Sequence, residues 1–268
     1  MKTRSSILTA LALVACPSIT FAGEMAPAPV EEPAVGSAVS GVISLDVNTH
    51  FISYGADIWG AGNDWADALF NPLVEISFAL SDNLTLSVGT WWDVNDNASS
   101  NIGDSIQEID VWAGLALTTG KLTTSLVYQE WLYADESERI VDLIFALDAP
   151  LSPSLTLHGR VDEGASGGDT GVVAVAGIEI PLVDTDSFSL AIPVNVAAAT
   201  DGFHGGDGGF AYASAGLGAS VPLSFISSDL GEWALNAGVT YYYTNSDVIP
   251  NNPDESFVTG SLGVSVSF

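Results

Sequence analysis

Carboxylates are the side chains that could do chemistry here. Asp46, Glu75, Asp93, Glu108, Asp110, Asp142, Asp162 and Glu179 each stand among alternating apolar residues, on the polar parity of their segment. Arg160 is the fully charged cation that shares that parity. Carboxylates around a wet passage favour cations over anions. In a water-like dielectric each is worth only about 1 kcal/mol at contact distance, so the preference is a sum of weak terms that fades with salt. The bland alternative is that these acids are solvated or hydrogen-bonded to neighbouring Ser and Thr, with Arg160 bracing Asp142 across adjacent strands. Glu130 and Arg139 break the parity and are placed to pair at a rim.

Other chemistries find less support. One Cys and three His exclude a disulfide framework, a Cys-based zinc site and a His-rich metal centre. His50 and His158 share parity with Ser44, Ser77 and Ser125, so a Ser–His–acid set is combinatorially available, but no local motif marks one. Residues 164–171 and 201–209, the latter holding His204, resemble Gly/Asp calcium repeats without a sustained period and read as hairpin tips. The expectation is no catalytic site, no metal centre and no cofactor.

The chain has 268 residues, 33 Asp and Glu against 5 Lys and Arg, and a net charge of −28. Only 14% of residues are charged and 47% are apolar, with 11 Phe, 7 Trp and 7 Tyr. Acidic disordered chains lack such an aromatic load. Nucleic acid is excluded as a partner, because binding its backbone needs Lys and Arg to displace counterions.

Residues 1–22 read as a signal peptide: Lys2 and Arg4, an apolar run from Ile7 to Ile19, then Ala22 before a mature start near Gly23. A lipobox reading, with Cys16 as a lipidated N-terminus, competes with it. Residues 23–40, rich in Pro and Ala, read as a flexible tether.

From 41 to 268 the pattern has period two. Ile43, Leu45, Val47 and Phe51 oppose Ser44, Asp46, Asn48 and His50; Leu86, Val88, Trp92 and Val94 oppose Thr85, Ser87, Asp93 and Asn95. Twelve segments follow: 41–53, 72–80, 84–95, 106–117, 122–133, 139–148, 155–162, 171–182, 188–199, 210–222, 233–244 and 256–268. Pro193 fits its segment only through a bulge. Connections are short at one end and long at the other, the habit of outer-membrane barrels. Aromatics bracket the aliphatic band. Phe51, Trp92, Tyr128, Tyr241 and Tyr243 fall near the long loops, and Phe78, Phe188, Trp233 and Phe268 near the short turns, as membrane interfaces select. A soluble sandwich or lipocalin-type barrel would carry a charged outer face. The fold class is therefore all-β, a single closed antiparallel up-and-down transmembrane barrel of about twelve strands.

Leu262, Val264, Val266 and Phe268 alternate to the chain end and resemble the assembly signal on the last strand of bacterial outer-membrane barrels. Glu108-Ile109-Asp110-Val111-Trp112-Ala113-Gly114 resembles a strand of the TorF-type porin family, and Gly41 to Gly55 resembles its opening strand, with Ile52 and Ser53 where that family has a basic residue and glycine. The resemblance implies a pore and no particular solute. The leading functional reading is a passive outer-membrane channel that prefers cations. The alternatives are a structural or surface-interaction barrel plugged by Trp91, Trp112, Tyr212 and Tyr242, and a lipid-modifying enzyme. Expected partners are outer-membrane lipid and the barrel-assembly machinery, with divalent cations at the acidic outer loops and further copies of the chain as candidates.

Overall fold

The computed structural model describes residues 38–59, 64–162 and 168–268. The leader (1–22) and all of the tether but residues 38–40 lie outside the described residues. Twelve strands close into one antiparallel barrel: β1 (Val39–Asn48), β4 (Leu69–Ser81), β5 (Leu84–Val94), β6 (Ile106–Thr119), β7 (Leu122–Leu132), β8 (Ser137–Leu147), β9 (Ser154–Arg160), β10 (Gly171–Thr185), β11 (Phe188–Ala199), β12 (Gly209–Pro222), β13 (Glu232–Thr244) and β14 (Ser256–Ser267). A small hairpin, β2 (Ile52–Ser53) and β3 (Ala56–Asp57), stands inside the first loop. Each barrel strand pairs with its neighbour in sequence, and β1 closes the ring on β14 from Val42↔Ser267 to Asn48↔Ser261. Closure leaves no unpaired edge, which is what a backbone without water requires.

Alternation sorts the two faces. Leu45, Leu115, Leu126, Leu217, Val239, Val258 and Leu262 are exposed on the outside, while Glu75, Ser87, Asp93, Asp110, Asp142 and His158 are buried within. An apolar surface of this extent is costly in water and favourable in acyl chains. No helix among the described residues is long and apolar enough to cross a membrane.

The first predicted segment runs too far. β1 stops at Asn48, and the hydroxyl of Thr49 takes the Gly260 N–H at 2.8 Å where a strand would offer a carbonyl. The chain then turns into the bore. Proline is accommodated by gaps in the ladder, and the bulge expected at Pro193 does not occur. The β11–β12 pairing passes from Ala191↔Gly218 to Val194↔Ala215 in unchanged register, so the missing N–H falls in the gap. Pro72 repeats the device on β4–β5, where the pairing steps from Leu73↔Trp91 to Phe70↔Val94. There the Asn71 side chain donates to the Trp92 carbonyl at 3.2 Å and meets an acceptor the ladder leaves open.

Candidate functional site

The inward acids collect at the long-loop half of the bore, and most are tied to donors. Asp93 accepts from the Asn71 amide at 3.1 Å, the Asn95 amide at 2.9 Å and the Trp59 indole at 2.9 Å, and Asn48 donates to Asn71 at 2.7 Å. Glu75 accepts the Trp112 indole N–H at 2.7 Å. Asp142 holds His158 Nδ1 at 2.7 Å and accepts from Gln129 at 2.6 Å, and Gln129 in turn accepts from Trp131. Asp46 accepts from Ser44. Glu179 is half-buried on the inward parity of β10. Glu108 and Asp110 differ from the rest. Both are buried on the inward face of β6, where they hydrogen-bond each other, and Glu108 also meets the Tyr133 hydroxyl. Among the described residues no group of three His, Cys, Asp or Glu is arranged to hold a metal ion.

Arg160 does not brace Asp142. The β8–β9 register sets Asp142 against His158 and Ile140 against Arg160, so Arg160 reaches Glu138 at 3.3 Å. It also donates to the Phe203 carbonyl at 2.7 Å, with its guanidinium 4.1 Å above the Phe203 ring. Asp162 leaves the lumen: β9 ends at Arg160, and Asp162 pairs at 2.9 Å with the exposed Arg139, which also approaches Glu130 at 3.9 Å.

The sequence reading missed what the first loop does. It leaves between β1 and β4 and crosses the bore. In the ring order β1-β14-β13-β12-β11-β10-β9, strand β9 is the sixth from β1, and it is also the sixth by way of β4 to β8. Yet Tyr54, at the tip of the β2–β3 hairpin, stacks on His158 of β9 with ring centroids 3.6 Å apart. The tip is a two-residue turn with positive φ at both positions, 47° at Tyr54 and 89° at Gly55. Such turns favour Asn-Gly. A tyrosine there is strained, at a cost of order 1–3 kcal/mol, and its ring makes contacts that offset this. Any side chain at Gly55 would strike Tyr212 and Ile249. Asn252 clasps the hairpin by accepting from Asp57 N–H and donating to Gly55 C=O, both at 2.8 Å.

Around this hairpin Trp131, Ile140, Val173, Phe203, Tyr212, Tyr242 and Ile249 form a buried apolar cluster inside the barrel. A second contains Phe51, Leu69, Trp91, Trp112 and Val127. Phe51 is thus a correction. It is 4% exposed and lies 5.0 Å from the Trp91 ring, because the chain has left the wall before reaching it, and it has no place in an outer girdle.

Trp92, Tyr128, Tyr241 and Tyr243 stand exposed on the outer wall toward the long loops, joined by Phe70 and Phe210, which the sequence reading passed over. Phe78, Phe188 and Trp233 are half-buried toward the turns. Leu262 and Phe268 are exposed, Val264 is half-covered, and Val266 is covered by the 223–231 turn at Gly231. Ser77 and Ser125 lie at the turn end, Ser44 bonds Asp46, and among the described residues no serine hydroxyl bonds His50 or His158.

No protein-family model matches the chain, and no curated protein matches it. Similar solved structures include the KdgM porin in complex with disordered oligogalacturonate (9% identity, 85% of this chain and 99% of that one, TM-score 0.46). An outer membrane channel from Pseudomonas putida F1 gives 13% identity, 90% and 99% coverage and a TM-score of 0.49. The translocator domain of the autotransporter NalP from Neisseria meningitidis gives 15% identity, 87% and 89% coverage and a TM-score of 0.44. At these identities no solute, reaction or partner passes from them to this chain.

Proposed function

We propose that this barrel is a narrow outer-membrane channel for passive diffusion that prefers cations, with its resistance set where the first loop crosses the bore. The observation that carries the charge preference is the pair Glu108 and Asp110, two carboxyl groups buried side by side on the inward face and hydrogen-bonded to each other, with no ion pair to a cation among the described residues. Asp93, Glu75 and Asp142 have their charge met by neutral donors, and Glu138 by Arg160. Among the described residues no cation pairs with Glu108 or Asp110, and theirs is the charge that acts on passing ions. The TorF-type reading is consistent with this, since its acid-aliphatic-Asp strand is β6 itself. Lipid surrounds the exposed aliphatic wall, and the alternating last strand is the part offered to the assembly machinery.

Purified protein in planar bilayers tests this. Stepwise conductance with a cation-directed reversal potential is expected under a salt gradient. Glu108→Gln with Asp110→Asn should move that potential toward zero, and more so at low salt. An unchanged potential removes the pair from the account. One observation favours a second reading, a barrel closed by its own side chains: the two apolar clusters span the loop end. Electrical silence would favour it.

A further inference from the structure

The hairpin tip occupies a place built for something more polar than itself. Tyr54 lies on the face of His158, Trp131 stacks on the same imidazole at 5.5 Å, and Phe203 meets it edge-on at 6.0 Å. Tyr212 lies against the adjoining Gly55. These walls are aromatic, yet two of their polar atoms go unmet: His158 Nε2 and the Tyr212 hydroxyl have no partner, and both residues are fully buried. A buried polar atom without a partner costs about 1–3 kcal/mol. The tip itself is strained at Tyr54. The closed arrangement therefore carries penalties on both sides of one contact, the signature of a site held by a stand-in.

We propose that the β2–β3 hairpin is a displaceable strap, and that the slot beneath it binds an uncharged polyhydroxylated ring, a sugar, entering from the long-loop end. A pyranose presents a C–H face to stack where Tyr54 stacks. Its hydroxyls can donate to His158 Nε2 and exchange hydrogen bonds with the Tyr212 hydroxyl. Asp142 is tied to His158 and Gln129, and Glu138 to Arg160, so no cation near the slot is left to attract an anion, while Glu108 and Asp110 on β6 repel an anionic sugar. This builds on the channel reading by naming its solute class, but binding in detergent does not depend on conduction.

The test titrates the full chain, folded in detergent, with maltose, following tryptophan fluorescence, with glucuronate as the anionic control. Wild type should bind maltose weakly. Tyr54→Ala should bind it about tenfold more tightly, because the strap no longer competes. His158→Ala in that background should lose binding, and glucuronate should not bind. Asn252→Ala, which loosens the clasp without touching the slot, should repeat the tightening and serves if Tyr54→Ala loses its heat-modifiable mobility. No maltose response in any folded variant, or equal affinity with and without Tyr54, overturns the proposal. A barrel that binds maltose and never conducts retires the channel reading alone. One that conducts without binding maltose retires the slot alone.

Discussion

The two halves of the bore share one wall and differ in what points inward. Toward the short turns the inward side chains are small: Ser40, Ser77, Ser87, Ser125, Ser220 and Ser265. Toward the long loops they are Trp91, Trp112, Trp131, His158, Arg160, Tyr212 and Tyr242, with acids between them and a hairpin across the middle. Eight strands enclose an interior that side chains just fill, and twelve enclose more. Serines alone do not span that width, yet each of those named is buried. The loop half is filled because its side chains are large and because the chain returns to add Ile52, Tyr54, Phe203, Val248 and Ile249. The wall sets the diameter, and the first loop crosses it.

The strongest way to break this contrast is to make the halves alike. Replacing residues 52–57 with a short Gly-Ser link removes the crossing segment and leaves the wall intact. Single-channel conductance should rise severalfold in planar bilayers. An unchanged conductance would move the resistance to the cluster of Phe51, Trp91 and Trp112.

A smaller effect separates the filled half from its rim. Arg160 and Glu138 are 6% and 0% exposed, while Arg139 is 51% exposed beside Asp162. Arg160→Ala removes the cation paired with the buried Glu138 carboxylate and should cost about 3–5 kcal/mol. Arg139→Ala breaks only solvated pairs and should cost under about 1 kcal/mol. Urea-dependent folding into lipid vesicles measures both. Equal losses would mean that the interior around Glu138 is as wet as the rim.

The wall was legible because its signal is local. Period two, turn residues and loop lengths place each strand, and all twelve predicted segments overlap the twelve observed strands. The parity of Asp93, Asp110, Trp112 and Tyr212 follows from the pleat alone. Ladder partners were less legible. Arg160 and Asp142 lie on adjacent strands, but the register sets Arg160 opposite Ile140, with Glu138 and Asp142 each two residues away, and alternation does not say toward which of them the side chain leans. The hairpin was not legible at all. The segment read as strand ran on to Ser53, so Phe51 read as wall, and nothing local says that a chain turns inward. The one signal was Tyr54-Gly55, a turn-forming pair just past the segment read as strand.

The smallest expected effect concerns the second inward loop, residues 200–208. His204 packs edge-on to Phe203 with centroids 4.9 Å apart, and its Nε2 is buried without a partner. Burial, with lesser contributions from the Arg160 and His158 charges, pushes its imidazole down to about 3 from 6.5. An unfolded or released loop therefore takes up a proton near pH 6.5, while the docked loop stays neutral until about pH 3. Docking is fully favoured above pH 6.5 and weakens steadily as pH falls toward 3, since the released form binds more protons throughout that window. His204→Phe keeps a ring against Phe203 and has nothing to protonate there. Hydrogen exchange of the loop amides at pH 7 and pH 5 should show the wild type opening more at the lower pH, by a larger factor than the variant. The same factor in both would leave His204 as packing alone.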